Sequence, residues 1–144
     1  WPLIGQLIQA DLADVGITAN LKSLEDAQFF PQLATGKTPA FLNDWTWDNG
    51  DPDNILNALY VGDRAKSRLG YANQQVADWI TSAETEKDQN KRAQIYAQVQ
   101  QQLLKDAVSV FLGYPKRALA ADKKVQGLVL SPIGNIVLRD VSVS

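Results

Sequence analysis

The sequence predicts an α/β fold, because helical and extended patterns alternate along its 144 residues. Apolar residues recur at three- and four-residue spacing over residues 2–15, which is typical of an amphipathic helix, and Gly16 follows as its stop. Residues 17–21 then alternate between apolar and polar side chains, as a strand with one buried face does. Extended patterns return over residues 108–143, interrupted by the turn sequence Ser-Pro-Ile-Gly at 131–134.

The middle of the chain is predicted to contain short helices, a strand and a loop. Asp26 is predicted to cap a short helix that ends at Gly36, although Pro31 in its interior should kink it or make it start late, and residues 40–47 form the next strand. Another helix starts at Pro52, since proline is favoured in the first turn and apolar residues follow at helical spacing. Residues 62–73 show no clear periodicity and are predicted to be a loop.

Two further helices are predicted to form an αα-hairpin. Asn73 caps the first helix and Asp88 caps the second, and each helix carries one apolar stripe. Charged residues crowd the turn between them, and we interpret these residues as a solvated helical surface without a function of their own. They are Glu84, Glu86, Lys87, Asp88, Lys91 and Arg92.

The composition excludes most enzyme chemistry and several classes of partner. The chain has no cysteine and no histidine, which rules out thiol nucleophiles, serine–histidine–aspartate triads, imidazole bases and zinc sites of the usual kind. Its 14 basic and 16 acidic residues give a net charge of −2 without a basic cluster, so nucleic acid is not a predicted partner. The absence of cysteine is compatible with an oxidising compartment.

The run from Trp45 to Asn54 is the strongest candidate for a functional site. It reads Trp-Thr-Trp-Asp-Asn-Gly-Asp-Pro-Asp-Asn and follows an apolar stretch, where a strand would pass into a loop. Loops held by rigid elements often carry function, and two indoles with a carboxylate at the end of a strand are the composition of a binding site. The same residues also have a structural interpretation, because strand tryptophans often pack in cores and Asp48 can accept N–H groups within a turn.

Two other interpretations of the acidic loop fail on spacing. In a calcium-binding loop that starts at Asp44, the required glycine falls on Asn49 and the twelfth position is Ile55 instead of glutamate. A glycosidase needs an acid and a base on opposite sides of its substrate, whereas the carboxylates of this run lie within one turn of each other. Asp51 and Asp53 are therefore predicted to be turn and helix-capping groups.

Four segments carry a resemblance to a known family. They are Ile-Gln-Ala-Asp-Leu-Ala-Asp-Val-Gly-Ile at 8–17, the tryptophan run at 45–54, Asn-Lys-Arg-Ala-Gln-Ile-Tyr at 90–96 and Val-Gln-Gly-Leu-Val-Leu-Ser-Pro-Ile-Gly at 125–134. In this order they resemble the C-terminal part of a family 5 extracellular solute-binding protein. These proteins are the dipeptide and oligopeptide receptors of ABC importers, and the resemblance covers essentially the whole chain.

The resemblance implies a particular architecture. The fold is expected to be the C-terminal lobe of a two-lobed, type II-like periplasmic-binding-protein fold, with a mixed sheet flanked by helices. Residues 1–113 would belong to the ligand-binding lobe, and residues 114–144 would form a return segment that packs on an absent N-terminal lobe. Because Trp1 directly abuts a helix, we expect a piece of a longer exported protein, located in the periplasm or, if lipid-anchored, at the extracellular face of the membrane.

The resemblance also implies roles for three residues. Asp48 matches the carboxylate that binds the α-amino group of a peptide, and Trp45 matches the tryptophan three positions before it. Trp47 replaces a residue that is usually small in dipeptide receptors, so it either narrows the pocket or packs beneath the loop. The expected ligand-binding residues are therefore Trp45, Trp47 and Asp48, whereas Arg117, Lys123 and Arg139 are interpreted as surface or hinge charges.

The partners implied are a short peptide, the permease subunits of an ABC transporter and the missing N-terminal lobe of the same protein. No enzyme activity, metal or cofactor is predicted. An alternative within the family is a non-peptide cargo such as an opine, a sugar conjugate or a metal chelate. A different alternative is a stand-alone interaction module, in which the αα-hairpin would be the working surface.

Overall fold

A computed structural model describes residues 1–46 and 48–144, and Trp47 lies outside the described residues. Helices occupy the first three quarters of the described chain, and short strands lie at its end. The helices are α1 (Pro2–Asp14), α2 (Asp26–Ala34), α3 (Pro52–Tyr60), α4 (Gly62–Leu69), α5 (Gln74–Thr85) and α6 (Gln89–Lys105). The strands are β1 (Val125–Gln126), β2 (Val129–Leu130), β3 (Ile136–Val137) and β4 (Ser142–Val143).

The hydrophobic core lies between α3 and the hairpin of α5 and α6. Apolar residues three or four positions apart give each of these helices one buried stripe, as the sequence predicted. Burying one such side chain contributes roughly 1.5–3 kcal/mol, so this cluster is the main source of stability. Its members are Leu56, Tyr60, Val76, Ile80, Ala83, Tyr96, Val99 and Leu103.

The caps that the sequence predicted for the hairpin are confirmed. The Asn73 side-chain oxygen accepts hydrogen bonds from the backbone N–H groups of Gln75 and Val76, at 3.1 and 3.3 Å. The Asp88 carboxylate accepts hydrogen bonds from the backbone N–H groups of Asn90 and Lys91, at 2.9 and 3.1 Å. Each cap satisfies donors that a helix N-terminus leaves without an intrahelical partner. The two helices of the hairpin therefore begin at defined residues.

The C-terminal strands form two separate antiparallel pairs. β1 pairs with β4, with Val125 opposite Val143, and β2 pairs with β3, with Leu130 opposite Ile136. The turn predicted at 131–134 is confirmed, because the Gly134 N–H donates to the Ser131 carbonyl at 2.9 Å.

The mixed sheet flanked by helices is not found among the described residues, where helices dominate and the sheets are small. Residues 17–21, 40–46 and 108–112 were predicted to be strands, and this was wrong, since none of them belongs to a ladder. Alternating apolar residues produce a strand only when a neighbouring strand satisfies the backbone groups. In residues 17–21 one of those groups is satisfied by a side chain instead, as Gln9 Nε2 donates to the Ala19 carbonyl at 2.6 Å.

The prediction of a loop over 62–73 was also wrong, because α4 fills most of it. Gly62 begins this helix with φ 72°, and Gly70 ends it in the left-handed region with φ 62°. The helix buries only Ala65 and is otherwise rich in charged and polar residues. Its short apolar stripe explains why periodicity did not reveal it.

Helix α1 confirms the first sequence prediction, although it packs lightly. Its one buried residue is Gly5, which faces the side chains of Leu21 and Leu42. Several apolar side chains of α1, including Leu3 and Leu7, are exposed. Within the described residues even α6, the longest helix, does not reach the length and apolar composition of a bilayer span.

Candidate functional site

The tryptophan run forms a loop that leads into α3. Gly50 turns the chain with φ 72°, a conformation that favours glycine. The Asn49 side chain then accepts from the Asp51 N–H at 3.0 Å, and Asp51 accepts from the Asp53 N–H at 2.9 Å as the N-cap of α3. Pro52 occupies the first helical position, where its missing N–H costs nothing. The predicted capping role of Asp51 is confirmed.

Asn54 joins two of the three predicted ligand-binding residues. The Trp45 indole Nε1 donates to Asn54 Oδ1 at 2.8 Å, and Asn54 Nδ2 donates to Asp48 Oδ2 at 3.3 Å. Trp45 is half-buried and Asp48 is exposed to solvent. Trp47, the third predicted residue, lies outside the described residues. The structure thus brings the indole of Trp45 and the carboxylate of Asp48 to opposite ends of one amide.

Arg92 of α6 ties the loop to the helical hairpin. Its guanidinium donates to both carboxylate oxygens of Asp51, at 2.8 and 2.9 Å, and its Nε donates to the Ala83 carbonyl at 2.8 Å. The same group donates to the Tyr96 hydroxyl at 2.9 Å and lies 5.0 Å from the centre of the Tyr96 ring. The hydrogen bonds from Arg92, followed by the backbone bond from Asp53, lower the pKa of Asp51 below 3.8.

The interpretation of Arg92 as part of a solvated surface was therefore wrong. A signal was present in the sequence, because Arg92 lies on the same helical stripe as the buried residues Tyr96, Val99 and Leu103. A cation at the end of a buried stripe faces inward and needs a partner. Spacing alone could not identify that partner as Asp51, which is 41 residues away.

A second carboxyl, that of Asp53, lies in a less favourable environment. Its Oδ1 is buried, and no hydrogen-bond partner for it is found within the described residues. Burial is the first cause that raises the pKa of Asp53, and the nearby negative charge of Glu84 is the second. The Asn57 amide donates to the Glu84 carboxylate and so holds that acid close to α3. Among the described residues no group of acids is arranged to hold a metal ion.

One wall of a small cavity is formed by Trp45. The cavity has a volume of about 40 Å³ and lies between α2, α3, α4 and the segment that precedes the loop. Apolar side chains such as Phe30, Phe41 and Leu59 line it, together with the polar groups of Asn43 and two arginines of α4. Sites for small-molecule ligands usually enclose roughly 300–1,000 Å³. This cavity is therefore a gap in packing behind the indole and is too small for a peptide.

The C-terminal segment also reaches the loop. Arg117 Nη2 donates to the hydroxyl of Thr46, the residue that follows Trp45, at 2.9 Å. Gly134 leaves room for this arginine, because a Cβ atom built there would lie 2.8 Å from Arg117 Nη1. A Cβ built on Gly50 would meet the Ile133 side chain at 3.6 Å. The turn between β2 and β3 thus lies against the loop, a contact that the sequence did not predict.

Comparison with known proteins identifies one family. The model of the bacterial extracellular solute-binding proteins, family 5 Middle, matches residues 1–67. The dipeptide-binding protein of Escherichia coli (strain K12) is 28% identical over 143 residues, which cover 97% of this chain and 27% of that protein. The dipeptide-binding protein of Pseudomonas aeruginosa (strain PAO1) is 32% identical over 139 residues, which cover 90% of this chain and 25% of that protein.

A third relative is the probable di/tripeptide-binding protein 5 of Pseudomonas aeruginosa (strain UCBPP-PA14). It is 31% identical over 137 residues, which cover 92% of this chain and 26% of that protein. The chain therefore spans about a quarter of the length of the curated relatives that it matches. The resemblance of the four sequence segments to family 5 of the bacterial extracellular solute-binding proteins is confirmed by the family model over residues 1–67 and by these relatives.

Proposed function

We propose that the protein containing this chain is the substrate-binding component of an ABC importer, which captures a short peptide and delivers it to a membrane permease. The observation that carries this proposal is the pair formed by Trp45 and Asp48 on the Asn54 amide, in a chain whose relatives are named dipeptide-binding and di/tripeptide-binding proteins. An exposed carboxylate beside a half-buried indole suits the charged end of a peptide.

Asp48 is proposed to bind the α-amino group of the peptide. A primary ammonium loses its hydration when it enters a closed site, so it requires a fixed anion and hydrogen-bond acceptors. The carboxylate of Asp48 is an anion, and its two oxygens accept hydrogen bonds. Its partner within the described residues, Asn54, is neutral and leaves that negative charge available to the ligand. Removing one member of such a desolvated pair costs about 2–5 kcal/mol.

The two tryptophans are proposed to enclose this contact. Trp45 is supported by its position beside Asp48, with its indole N–H held by Asn54 and its ring against the small cavity. Trp47 enters the proposal from the sequence alone. An indole beside an ammonium excludes water and offers a cation–π face.

A second lobe is proposed to close the site from the other side. Residues 1–113 would form part of one lobe, and residues 114–144 would pack on the N-terminal lobe, so that hinge closure traps the ligand. The contact between Arg117 and Thr46 would then join the return segment to the binding loop. Capture and delivery require no bond to be made or broken, and we place the protein in the periplasm or at the extracellular face of the membrane.

The test is calorimetry on the full-length protein. Dipeptides with a free N-terminus are compared with their N-acetylated forms, on the wild type and on Asp48→Asn. We expect acetylation and the substitution each to weaken binding at least about tenfold, which corresponds to 1.4 kcal/mol. Asp44→Asn is the matched control, since Asp44 is an exposed carboxylate on the same segment, and it should leave the affinity unchanged.

Three outcomes would contradict this function in different ways. Equal binding of free and acetylated peptides would remove the ammonium from the recognition. Equal binding by wild type and Asp48→Asn would show that Asp48 does not bind the ligand and only accepts hydrogen bonds within the turn. Binding of no peptide at all would direct the search to opines, sugar conjugates or metal chelates, or to an interaction through the αα-hairpin.

A further inference from the structure

We propose that Asn54 is a positioning residue of the ligand site, because its side-chain amide fixes the Trp45 indole and the Asp48 carboxylate relative to each other. This inference rests on the proposed function, in which both residues contact the ligand. Asn54 itself is assigned no ligand contact. Its role is to fix the positions of the Trp45 indole and the Asp48 carboxylate before an ammonium group binds.

The chemistry of the three groups leaves the amide only one orientation. An indole N–H can only donate a hydrogen bond, and a carboxylate can only accept one. The oxygen of Asn54 must therefore face Trp45 Nε1, at 2.8 Å, and its nitrogen must face Asp48 Oδ2, at 3.3 Å. Of the small side chains, asparagine is suited to this place since it carries one acceptor and one donor on a planar group.

The amide extends from a rigid base. Asn54 lies in the first turn of α3, where its N–H donates to the Asp51 carbonyl at 3.1 Å. Asp51 caps that turn and is held by both terminal nitrogens of Arg92 on α6. A bidentate arginine–carboxylate pair fixes direction as well as distance. The orientation of the site is thus transmitted from the helical hairpin through Asp51 to Asn54.

The hydrogen bond from Asn54 leaves Asp48 able to bind a ligand. Asn54 donates to Oδ2, and the carboxylate is exposed to solvent, so its other oxygen faces no donor within the described residues. The amide brings no positive charge, so it orients the carboxylate without neutralising it. A lysine or arginine in place of Asn54 would compete with a cationic ligand for the negative charge of Asp48. A neutral donor therefore suits a site that selects a primary ammonium.

Four variants of the full-length protein separate the two arms of the amide. Asn54→Ala removes both hydrogen bonds. Asn54→Asp keeps an acceptor for the indole but loses the donor and places a second negative charge beside Asp48. Trp45→Phe removes the indole N–H. Asn57→Ala is the matched control, since it removes an amide one turn further along α3 that contacts Glu84 instead.

Two measurements are made, the first on the wild type and on every variant that keeps Trp45, and the second on all of the variants. Hydrogen exchange of the Trp45 indole N–H, followed by NMR without ligand, reports the first bond directly. Calorimetry with a free dipeptide reports the consequence for the ligand. We expect Asn54→Ala to accelerate indole exchange and to weaken binding, each by about tenfold or more, as loss of a hydrogen bond to a charged group implies.

The remaining variants sharpen the test. Asn54→Asp should keep slow indole exchange while weakening binding at least as much as Asn54→Ala, because like charges repel and the donor to Asp48 is lost. Asn54→Ala added to Trp45→Phe should weaken binding relative to Trp45→Phe alone, since the hydrogen bond from Asn54 to Asp48 is still present in Trp45→Phe and is then removed. Asn57→Ala should leave both measurements at their wild-type values.

The outcomes distinguish this inference from the function on which it rests. Indole exchange that is equally fast in the wild type and in Asn54→Ala would show that the bond does not hold the ring, and the positioning role would be refuted. Unchanged dipeptide affinity in Asn54→Ala would refute it as well, with the proposed function intact. If the wild type binds no dipeptide, the proposed function fails, and the positioning of an ammonium site fails with it whatever the indole exchange shows.

Discussion

Arg92 connects three parts of the chain through one guanidinium. It donates to Asp51 at the start of α3, to the carbonyl of Ala83 on α5 and to the hydroxyl of Tyr96 on its own helix. An isolated ion pair at a partly exposed site contributes little, about 0–1 kcal/mol. The contribution here is larger, because a planar fork satisfies a carboxylate and a backbone carbonyl at the same time.

We expect Arg92→Lys to lower the free energy of unfolding by about 1–2 kcal/mol, since a lysine ammonium cannot reproduce the bidentate contact or the stacking on Tyr96. Urea denaturation of this variant measures the loss. Lys91→Arg, an exposed change of the same kind at the neighbouring position, is the control and should have little effect. A loss no larger than that of the control would show that the fork does not stabilise the fold.

The pair also predicts a dependence of stability on pH. The pKa of Asp51 is lowered in the folded state, so its contribution is fully present above 3.8, the usual value of an aspartate carboxyl. That contribution disappears as the pH falls through the lower folded value. Asp51→Asn keeps a capping oxygen but loses the charge. Its destabilisation relative to the wild type, followed by denaturation against pH, should be constant above about pH 5 and shrink in acid.

At the scale of single elements, neighbouring leucines on α6 provide a test of the core. Leu103 is 1% exposed and Leu104 is 62% exposed, although they share one helix and one residue type. Leu103→Ala should lower the free energy of unfolding by about 2–5 kcal/mol, because it removes buried surface and leaves a cavity. Leu104→Ala should change it by less than about 0.5 kcal/mol, as exposed substitutions usually do. Similar losses in both variants would contradict the described packing of α6.

The helices could be predicted from the sequence, because most of their signals are local. Asn73 and Asp88 mark helix starts through side-chain hydrogen bonds within three residues, and Pro52 marks one by its place at the first helical position. The apolar stripes of α3, α5 and α6 indicate their buried faces. Helix α4 escaped because it buries one alanine between two glycines with positive φ. The strands predicted at 17–21, 40–46 and 108–112 were wrong for a different reason, since alternation specifies a face but not a partner to pair with.

The candidate site was predictable in part for the same reason. The capping role of Asp51 depends on its immediate neighbours and is confirmed. The contacts of Asp51 with Arg92 and of Thr46 with Arg117 join residues 41 and 71 positions apart, which no spacing rule reaches. The ligand-binding roles of Trp45, Trp47 and Asp48 remain predictions that came from the resemblance.

At the scale of the whole molecule, we expect the turn that lies against the loop carrying Asp48 to be less stable than the helical core. Backbone groups in α6 lie over buried side chains, whereas the paired strands are two residues long and mostly exposed. Native-state hydrogen exchange should therefore be slowest at amides such as that of Val99 and much faster at that of Ser131, which donates to the Asn135 carbonyl at 2.8 Å.

Gly134→Ala extends this comparison to the contact with the loop. The added methyl group would displace Arg117 from Thr46 and strain a residue with φ 84°, so exchange at Ser131 should accelerate while exchange at Val99 stays the same. Gly16→Ala is the matched control, because Gly16 has a similar φ of 80° and open space around it. If both substitutions leave exchange at Ser131 unchanged, Arg117 does not couple the turn to the loop.

The sequence span of the core has a consequence for how the chain acquires its structure. Every buried member of the cluster lies between Leu56 and Leu103, so the cluster is contained in one continuous stretch of the chain. The core can form without the C-terminal strands, and closing the loops within this stretch costs less entropy than closing those that bring in the end of the chain. This core can therefore assemble before β1 to β4 pair, and the strands then pack against a surface that has already formed. The loop that carries Asp48 would accordingly be anchored by Arg92 before Arg117 reaches it.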